Sequence, residues 1–170
     1  MVKDMTTPNT ANAIDVLVQT MTAFQNGNVD AAAALMHPDI RWHSPGRSQP
    51  AAGTHVGRGN VLSAFGIIAS QPGTLSLELL DTLDGQHHAG LLYIHRRERH
   101  GTTLEARICL IATASNGQLT EAWEHIYDPN AFDAFYGPRQ SLANRRQVLT
   151  SSLNAPASGR DDASVWRGLE

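Results

Sequence analysis

The hydrophobic period of the chain changes once, at Leu75, and this change constrains the fold more than any other feature of the 170-residue sequence. Before Leu75 the apolar residues recur every three or four positions, which is typical of amphipathic helices. After it they alternate with a period of two, which is typical of strands. Helices followed by a run of strands predict an α+β domain in which the helices cover one face of the sheet.

The part before Leu75 predicts three helices and one short strand. A first helix is expected at residues 13–25, and Asn28 is the expected N-cap of a second helix that Pro38 terminates. A brief strand follows at 40–44, and the Pro, Gly and Ser-rich stretch at 45–57 predicts a loop. The apolar face of the third helix is formed by Val61, Leu62, Phe65, Ile68 and Ala69.

Three turn dipeptides divide the part after Leu75 into four hairpin-linked strands. The dipeptides are Asp84-Gly85, His100-Gly101 and Asn116-Gly117. The strands are expected at 75–83, 86–98, 102–114 and 118–127. Asp128-Pro129 predicts an N-cap followed by a first-turn proline, and so a last short helix that ends at Gly137-Pro138.

The domain is expected to comprise residues 1–137, with residues 138–170 as a flexible C-terminal tail. The segment 151–162 is rich in Ser, Ala, Gly and Asp. Such a composition cannot bury enough apolar surface to offset the entropy of ordering.

The overall composition argues against nucleic acid and membrane partners. The net charge is −3 and the 13 Lys and Arg residues are scattered, so no basic stripe for nucleic acid is expected. The N-terminus is polar, and no window approaches the ~20 apolar residues of a membrane span. Cys109 is the only cysteine, which fits a reducing compartment. We therefore expect a cytoplasmic protein.

Both faces of the predicted sheet contain apolar residues. On the strand at 102–114, Leu104, Ala106, Ile108 and Leu110 alternate with a second set that also includes Cys109 and Ile111. A curved sheet that packs helices on its inner side leaves a cavity there for a small apolar ligand. The outer side can be covered by a second copy of the chain, so a homodimer is expected.

Three segments resemble a known superfamily. They are WHSPG at 42–46, AGTHVGRGNVL at 52–62 and NGQLTEAWEHIYDPNAFDAFYG at 116–137. Together with the order of elements, they resemble the NTF2-like superfamily, and within it the SnoaL-like polyketide cyclase and ketosteroid-isomerase-like branch, over about residues 10–137. The resemblance implies a cone-shaped α+β barrel with a curved, mainly antiparallel sheet. The superfamily hosts isomerases, cyclases, hydrolases and non-enzymatic binding modules, so the fold does not define the activity.

Three residues are candidates for catalysis. The resemblance implies that an aspartate near the end of the last strand acts as acid/base, and Asp128 is the matching position; capping of the following helix is its structural alternative. His125 has a side chain suited to moving a proton near neutral pH. Tyr93 could donate a hydrogen bond to a ligand carbonyl, as an oxyanion stabiliser must. The same residues could instead be satisfied core or interface groups.

Four further residues are candidates for substrate binding. Trp42 and Trp123 would supply apolar walls, and His43 and His55 flank the loop that would border the mouth of the cavity. The histidines show no metal-ligand spacing, and no phosphate-binding loop or dinucleotide motif is present, so neither a metal nor a cofactor is expected.

Two functions remain open from the sequence. The first is a cofactor-free enzyme of the cyclase, isomerase or hydratase kind, which transfers protons on a small apolar carbonyl-containing molecule. The second is a non-catalytic module for small-molecule binding or dimerisation. Ketosteroid isomerases proper have a tyrosine on the first helix, which is absent here, and this departure argues against steroid isomerisation.

Overall fold

Three of the four helices lie in the first half of the described chain, and four long strands follow them. The structure is a computed structural model that describes residues 12–137. Its elements are α1 (Ala13–Gln25), α2 (Val29–Ala34), β1 (Met36–Ser44), β2 (Gly53–Val56), α3 (Arg58–Ala69), β3 (Thr74–Asp84), β4 (Ala89–Arg99), β5 (Thr102–Ser115), β6 (Gln118–Ile126) and α4 (Pro129–Tyr136). The predicted tail at 138–170 lies outside the described residues.

The six strands form one sheet in the order β2-β1-β6-β5-β4-β3. Strand β1 runs parallel to β6, and the remaining neighbours are antiparallel. The strand register shifts within the β1–β6, β3–β4 and β5–β6 pairs, and such irregularities bend a sheet. The predicted α+β class with a mixed, mainly antiparallel sheet is confirmed.

Local sequence signals place several element ends correctly. Helix α1 coincides with its predicted limits, and the Asn28 side chain accepts a hydrogen bond from the Ala31 amide at the start of α2. His100 and Asn116 have positive φ angles of 50° and 51°, as the first position of a two-residue type I′ turn requires. The turn after β3 is longer than predicted. The Gly85 amide donates a hydrogen bond to the His88 carbonyl, and β4 therefore begins at Ala89.

Two predictions for the segment between α2 and α3 are wrong. Strand β2 lies inside the predicted loop; its four residues pair with the end of β1, a long-range contact that local composition does not indicate. Strand β1 begins at Met36 and runs through Pro38, which was expected only to end the helix. The β1–β6 pairing is irregular between Met36 and Arg41, so the missing amide of Pro38 falls where the ladder is already interrupted.

The inner face of the sheet is the face that α1 and α3 cover. On β5 it is formed by the buried residues Leu104, Ala106, Ile108, Leu110 and Ala112. Helix α3 is apolar on two sides. Its most buried residues are Val61, Ala64 and Ile67 rather than the whole predicted face, while Leu62, Phe65 and Ile68 are only half-buried. No helix among the described residues is long and apolar enough to cross a membrane.

Candidate functional site

A cavity of about 410 Å³ lies between the helices and the inner face of the sheet. Its volume is within the roughly 300–1,000 Å³ that is usual for small-molecule sites. Most of its lining is aliphatic or aromatic. The polar lining residues are Gln25, Ser44, Gln49, His55, Tyr93, His95 and Glu124. Such a cavity suits a guest with an apolar body and a few oriented polar atoms.

An aromatic cluster joins the helices to the sheet at one side of the cavity. The Trp42 ring meets the Phe65 ring edge-on with centroids 4.8 Å apart, and Phe65 contacts Phe24 at 4.6 Å. Trp42 is 1% exposed. These rings connect β1, α3 and α1, so the wall that faces a guest is also part of the core.

Glu124, on β6, is the one carboxylate among the described residues that line the cavity. Its neighbours on the same strand face, Ala122 and Ile126, are buried in the core, and strand alternation therefore turns Glu124 inward. The Ser44 hydroxyl donates a hydrogen bond of 2.6 Å to Glu124 Oε2. Among the described residues, no donor forms a hydrogen bond of ordinary geometry with Oε1.

Burial raises the pKa of the Glu124 carboxyl above its usual value of 4.5. Hydrogen bonding from Ser44 and the indole of Trp42 acts in the opposite direction, and burial outweighs it. Trp42 Nε1 has no hydrogen-bond partner of ordinary geometry among the described residues, so the indole acts on the carboxylate at longer range. A carboxyl whose pKa moves toward neutrality can both hold and release a proton.

Tyr93 presents a phenol to the same cavity from β4. It is 5% exposed, and its hydroxyl makes no hydrogen bond to another described residue. Burial raises the pKa of Tyr93 well above its usual value, and the charges of Glu124 and Cys109 add to this. The hydroxyl therefore stays protonated and can donate a hydrogen bond to an oxygen of a guest.

His95 and Tyr136 connect the cavity to α4. His95 Nε2 and the Tyr136 hydroxyl oxygen are 2.7 Å apart, and the Phe132 ring packs edge-on against the imidazole. Burial lowers the pKa of His95 to about 4, with a contribution from the positive charge of Arg97. Burial also raises the pKa of Tyr136 to about 12. Both groups are therefore neutral at pH 7.

The loop between β1 and β2 is fastened to α4 by Asp133. The Asp133 carboxylate accepts hydrogen bonds from the Arg47 and Gln49 amides at 2.7 and 2.9 Å. Gly46 has a φ of 105°, and a Cβ at this position would lie 2.6 Å from Asp133 Oδ1. The loop and the helix thus form one unit, to which Gln49 and Phe132 of the cavity wall belong.

The structure brings three of the seven predicted site residues together. Trp42, His55 and Tyr93 all line the cavity. His55 Nε2 also donates a hydrogen bond to the Ala51 carbonyl at 2.8 Å, which fixes its ring at the edge of the loop. The roles predicted for these residues stay predictions.

Three other predicted residues lie on the outer face of the sheet. His43 stacks on Trp123 with centroids 5.7 Å apart, and its ring nitrogens lie 2.9 Å from Thr54 Oγ1 and 2.8 Å from Glu121 Oε1. His125 is exposed and borders a shallow depression together with Trp123. The sheet therefore separates these three residues from the cavity.

Asp128 lies at the start of α4, outside the cavity lining. It is exposed, and its carboxylate accepts a hydrogen bond of 2.9 Å from the Ala131 amide, with Pro129 in the first turn. The predicted N-cap is confirmed. A cap of this kind contributes about 0.5–2 kcal/mol to the free energy of unfolding.

Substitution of Asp128 distinguishes capping from catalysis. We expect Asp128→Ala to lower the free energy of unfolding by about 1 kcal/mol in urea denaturation, and Asp128→Asn to stay near wild type because asparagine caps equally well. The catalytic assignment also predicts a folded Asp128→Asn, but one that has lost turnover. Loss of activity in that variant at unchanged stability would therefore establish a catalytic Asp128.

Glu124 is a lining residue that the sequence did not predict. Strand alternation put it on one face with Ala122, Ile126 and Asp128, and the resemblance favoured Asp128. The signal that could have identified it is a lone carboxylate between two apolar residues on a strand face, since such a face points into the core. Among residues 12–137, no group of three or more His, Cys, Asp or Glu side chains is placed to hold a metal ion.

Comparisons with known proteins define the family. The sequence model of the SnoaL-like domain matches residues 17–122. Uncharacterised proteins of Mycobacterium bovis and Mycobacterium tuberculosis are 31% identical over 127 residues, which cover 72% of this chain and 95% of theirs. The chain belongs to the SnoaL-like family.

Solved structures agree with this assignment. Bal32a, from a soil-derived mobile gene cassette, superimposes with a TM-score of 0.70 at 28% identity, covering 74% of this chain and 97% of its own. An NTF2-like protein of Burkholderia xenovorans superimposes with a TM-score of 0.62 at 18% identity, covering 74% of this chain and 96% of its own. The predicted membership of the NTF2-like superfamily is confirmed.

Proposed function

We propose that the protein is a cofactor-free enzyme of the isomerase, cyclase or hydratase kind that moves a proton on a small apolar carbonyl compound. The observation that carries the proposal is Glu124, a carboxyl of raised pKa on the wall of an apolar cavity. It acts as the acid/base, and it is supported by Ser44, which orients the carboxyl through Oε2.

Tyr93 is the proposed partner of Glu124 in this chemistry. When a proton leaves the carbon next to a carbonyl, negative charge develops on the carbonyl oxygen. A buried hydroxyl that stays protonated can donate to that oxygen, and Tyr93 has no competing partner among the described residues. The aromatic wall of Trp42 and Phe65 would hold the apolar body of the substrate.

The proposal is tested with 2-tetralone, a bicyclic ketone with acidic protons next to its carbonyl. Proton NMR in deuterium oxide measures how fast these protons exchange. We expect the wild-type protein to accelerate exchange over buffer, and Ala69→Trp, which narrows the cavity at an exposed end of α3, to remove the acceleration. Binding of 2-tetralone without any acceleration would contradict the enzyme and favour the second candidate.

The second candidate is a binding protein that only holds an apolar ligand. It is favoured by the lining, in which aliphatic and aromatic side chains outnumber polar ones. In that case Glu124 and Tyr93 would orient the ligand by hydrogen bonds and do no chemistry. The exchange experiment separates the two candidates because only an enzyme turns over.

We also propose that the outer face of the sheet forms a homodimer interface. This face exposes part of Ile111 and Trp123 next to His125, and Tyr127 at the end of β6 is 88% exposed. Apolar and aromatic groups of this kind are enriched at the centres of interfaces.

A charge placed in the centre of this face should separate the subunits. We expect wild type to sediment as a dimer and Trp123→Lys as a folded monomer in analytical ultracentrifugation, because an interface core does not accommodate an unpaired charge. Val29→Lys, an exposed apolar position on helix α2 and not on the sheet, is the control and should remain dimeric. A dimeric Trp123→Lys, or a monomeric wild type, would contradict the interface.

A further inference from the structure

His95 is a polar residue on the cavity wall that the proposed proton transfer does not use. It is 5% exposed and lines the cavity, and its Nε2 is occupied by the Tyr136 hydroxyl at 2.7 Å. Its Nδ1 has no hydrogen-bond partner among the described residues. An imidazole nitrogen without a partner on a residue that lines a cavity can bind a polar atom of a ligand there.

The charges around Tyr136 favour one tautomer of His95. The guanidinium groups of Arg97 and Arg99 both act on Tyr136, and that of Arg97 also acts on His95. A positive charge near the phenol favours a hydroxyl oxygen turned toward Arg97 and a proton turned toward His95 Nε2. In a neutral imidazole, an Nε2 that accepts leaves the proton on Nδ1. The nitrogen that is open to the cavity is therefore a donor.

We propose that the His95 end of the cavity binds an acidic oxygen of the ligand, an enol, a phenol or its anion, through His95 Nδ1–H, with Tyr136 as the positioning residue. This inference rests on the proposed function and adds a substrate class to it: a molecule that carries an acidic oxygen as well as a carbonyl.

Arg97 gives this end of the cavity a positive field. It is 1% exposed, its Nε has no partner, and no carboxylate of the described residues lies within ion-pair distance. Its guanidinium bonds only backbone carbonyls, those of Gln71 and Pro72. An uncompensated buried cation favours a negative charge nearby.

The sheet register separates this oxygen site from Glu124. Glu124 lies opposite Leu110, which lies opposite Leu91 on β4, and His95 is four residues further along that strand. With a strand spacing of ~4.8 Å and a rise of ~3.3 Å per residue, the two backbones are about 16 Å apart. A ligand that contacts both groups is therefore elongated, such as a molecule of two or three fused rings.

The test compares two probes that differ only at the oxygen. 4-Nitrophenol ionises near neutral pH and reports its ionisation by colour, and 4-nitrotoluene has the same shape with a methyl group in place of the hydroxyl. We expect wild type to bind 4-nitrophenol more tightly at pH 8. His95→Phe should reduce this preference by about tenfold or more, and Tyr136→Phe should reduce it by less, while 4-nitrotoluene binding stays unchanged.

Three results would overturn the inference. They are an unchanged preference in His95→Phe, an equal weakening of both probes, and a preference that depends on Glu124→Gln instead. Tyr127 is exposed, and Tyr127→Phe is the matched control for Tyr136→Phe. Because Tyr136→Phe removes a single oxygen atom, this variant remains informative should His95→Phe not fold. A probe preference lost in His95→Phe together with no tetralone exchange in wild type would support the oxygen site and contradict the proposed function.

Discussion

Replacing Glu124 with glutamine is expected to slow the exchange of 2-tetralone protons by a factor of about 10²–10⁴, the usual contribution of a positioned acid/base. This corresponds to about 3–5 kcal/mol of transition-state stabilisation. Glutamine has nearly the same shape and can still accept the hydrogen bond of Ser44, so the variant should fold. It cannot take up a proton, and for this reason the loss should appear in the rate and not in ligand affinity.

Two further variants make this prediction specific to Glu124. Glu98→Gln changes an exposed carboxylate on β4 and should leave exchange unchanged. Ser44→Ala removes a hydrogen bond that favours the ionised carboxyl, so the pKa of Glu124 should rise further and the pH profile of exchange should move to higher pH. Exchange in Glu124→Gln within threefold of wild type would remove Glu124 from the proposed chemistry.

The stability of the protein should fall as the pH is lowered from about 7 to about 4, in part because of His95. The pKa of its imidazole is about 4 in the folded protein and 6.5 without burial. Between these values the unfolded chain binds a proton that the native state does not, so stability is lost as pH decreases. At about 1.4 kcal/mol per pKa unit, the full effect on the free energy of unfolding is about 3.5 kcal/mol.

The contribution of His95 is isolated by subtraction. Glu124 has a raised pKa, and its ionisation therefore acts in the opposite direction: stability rises as pH falls from the folded pKa toward 4.5. The free energy of unfolding is measured in urea from pH 7 to pH 4 for wild type and His95→Gln. Because both proteins contain Glu124, its contribution cancels in the difference between them. We expect the difference to change by about 2–3 kcal/mol across the window. A constant difference would contradict a buried neutral His95.

Local signals in the sequence were sufficient for most of the fold. The limits of α1, the Asn28 and Asp128 caps and the two-residue turns at His100 and Asn116 all depend on interactions within a few residues. Strand β2 could not be predicted in this way, because its partner is β1 and its four residues lie within a stretch whose Pro, Gly and Ser content indicates a loop. The start of β1 was missed for a similar reason: its pairing with β6 is parallel and long-range, and it overrides the local effect of Pro38.

The site was less predictable than the fold because it depends on which sheet face is covered. Both sets of alternating residues on β6 contain a carboxylate and aromatic or apolar groups, so the sequence left the inner face undecided. The packing of helices turns Ala122 and Glu124 inward and leaves Trp123 and His125 outside. Tyr93 was identified because it shares a strand face with His95 and Arg97 and because a tyrosine hydroxyl can donate a hydrogen bond to a carbonyl.

The central claim is that Glu124 is a protonatable carboxyl inside a cavity that accepts a guest. Carbon-13 NMR of glutamate-labelled protein measures it directly, by following each side-chain carboxyl as the pH changes. We predict one resonance that titrates above the usual range, is absent in Glu124→Gln and moves its midpoint when 2-tetralone is added. Glutamates that all titrate near 4.5 and do not respond to 2-tetralone would contradict the account.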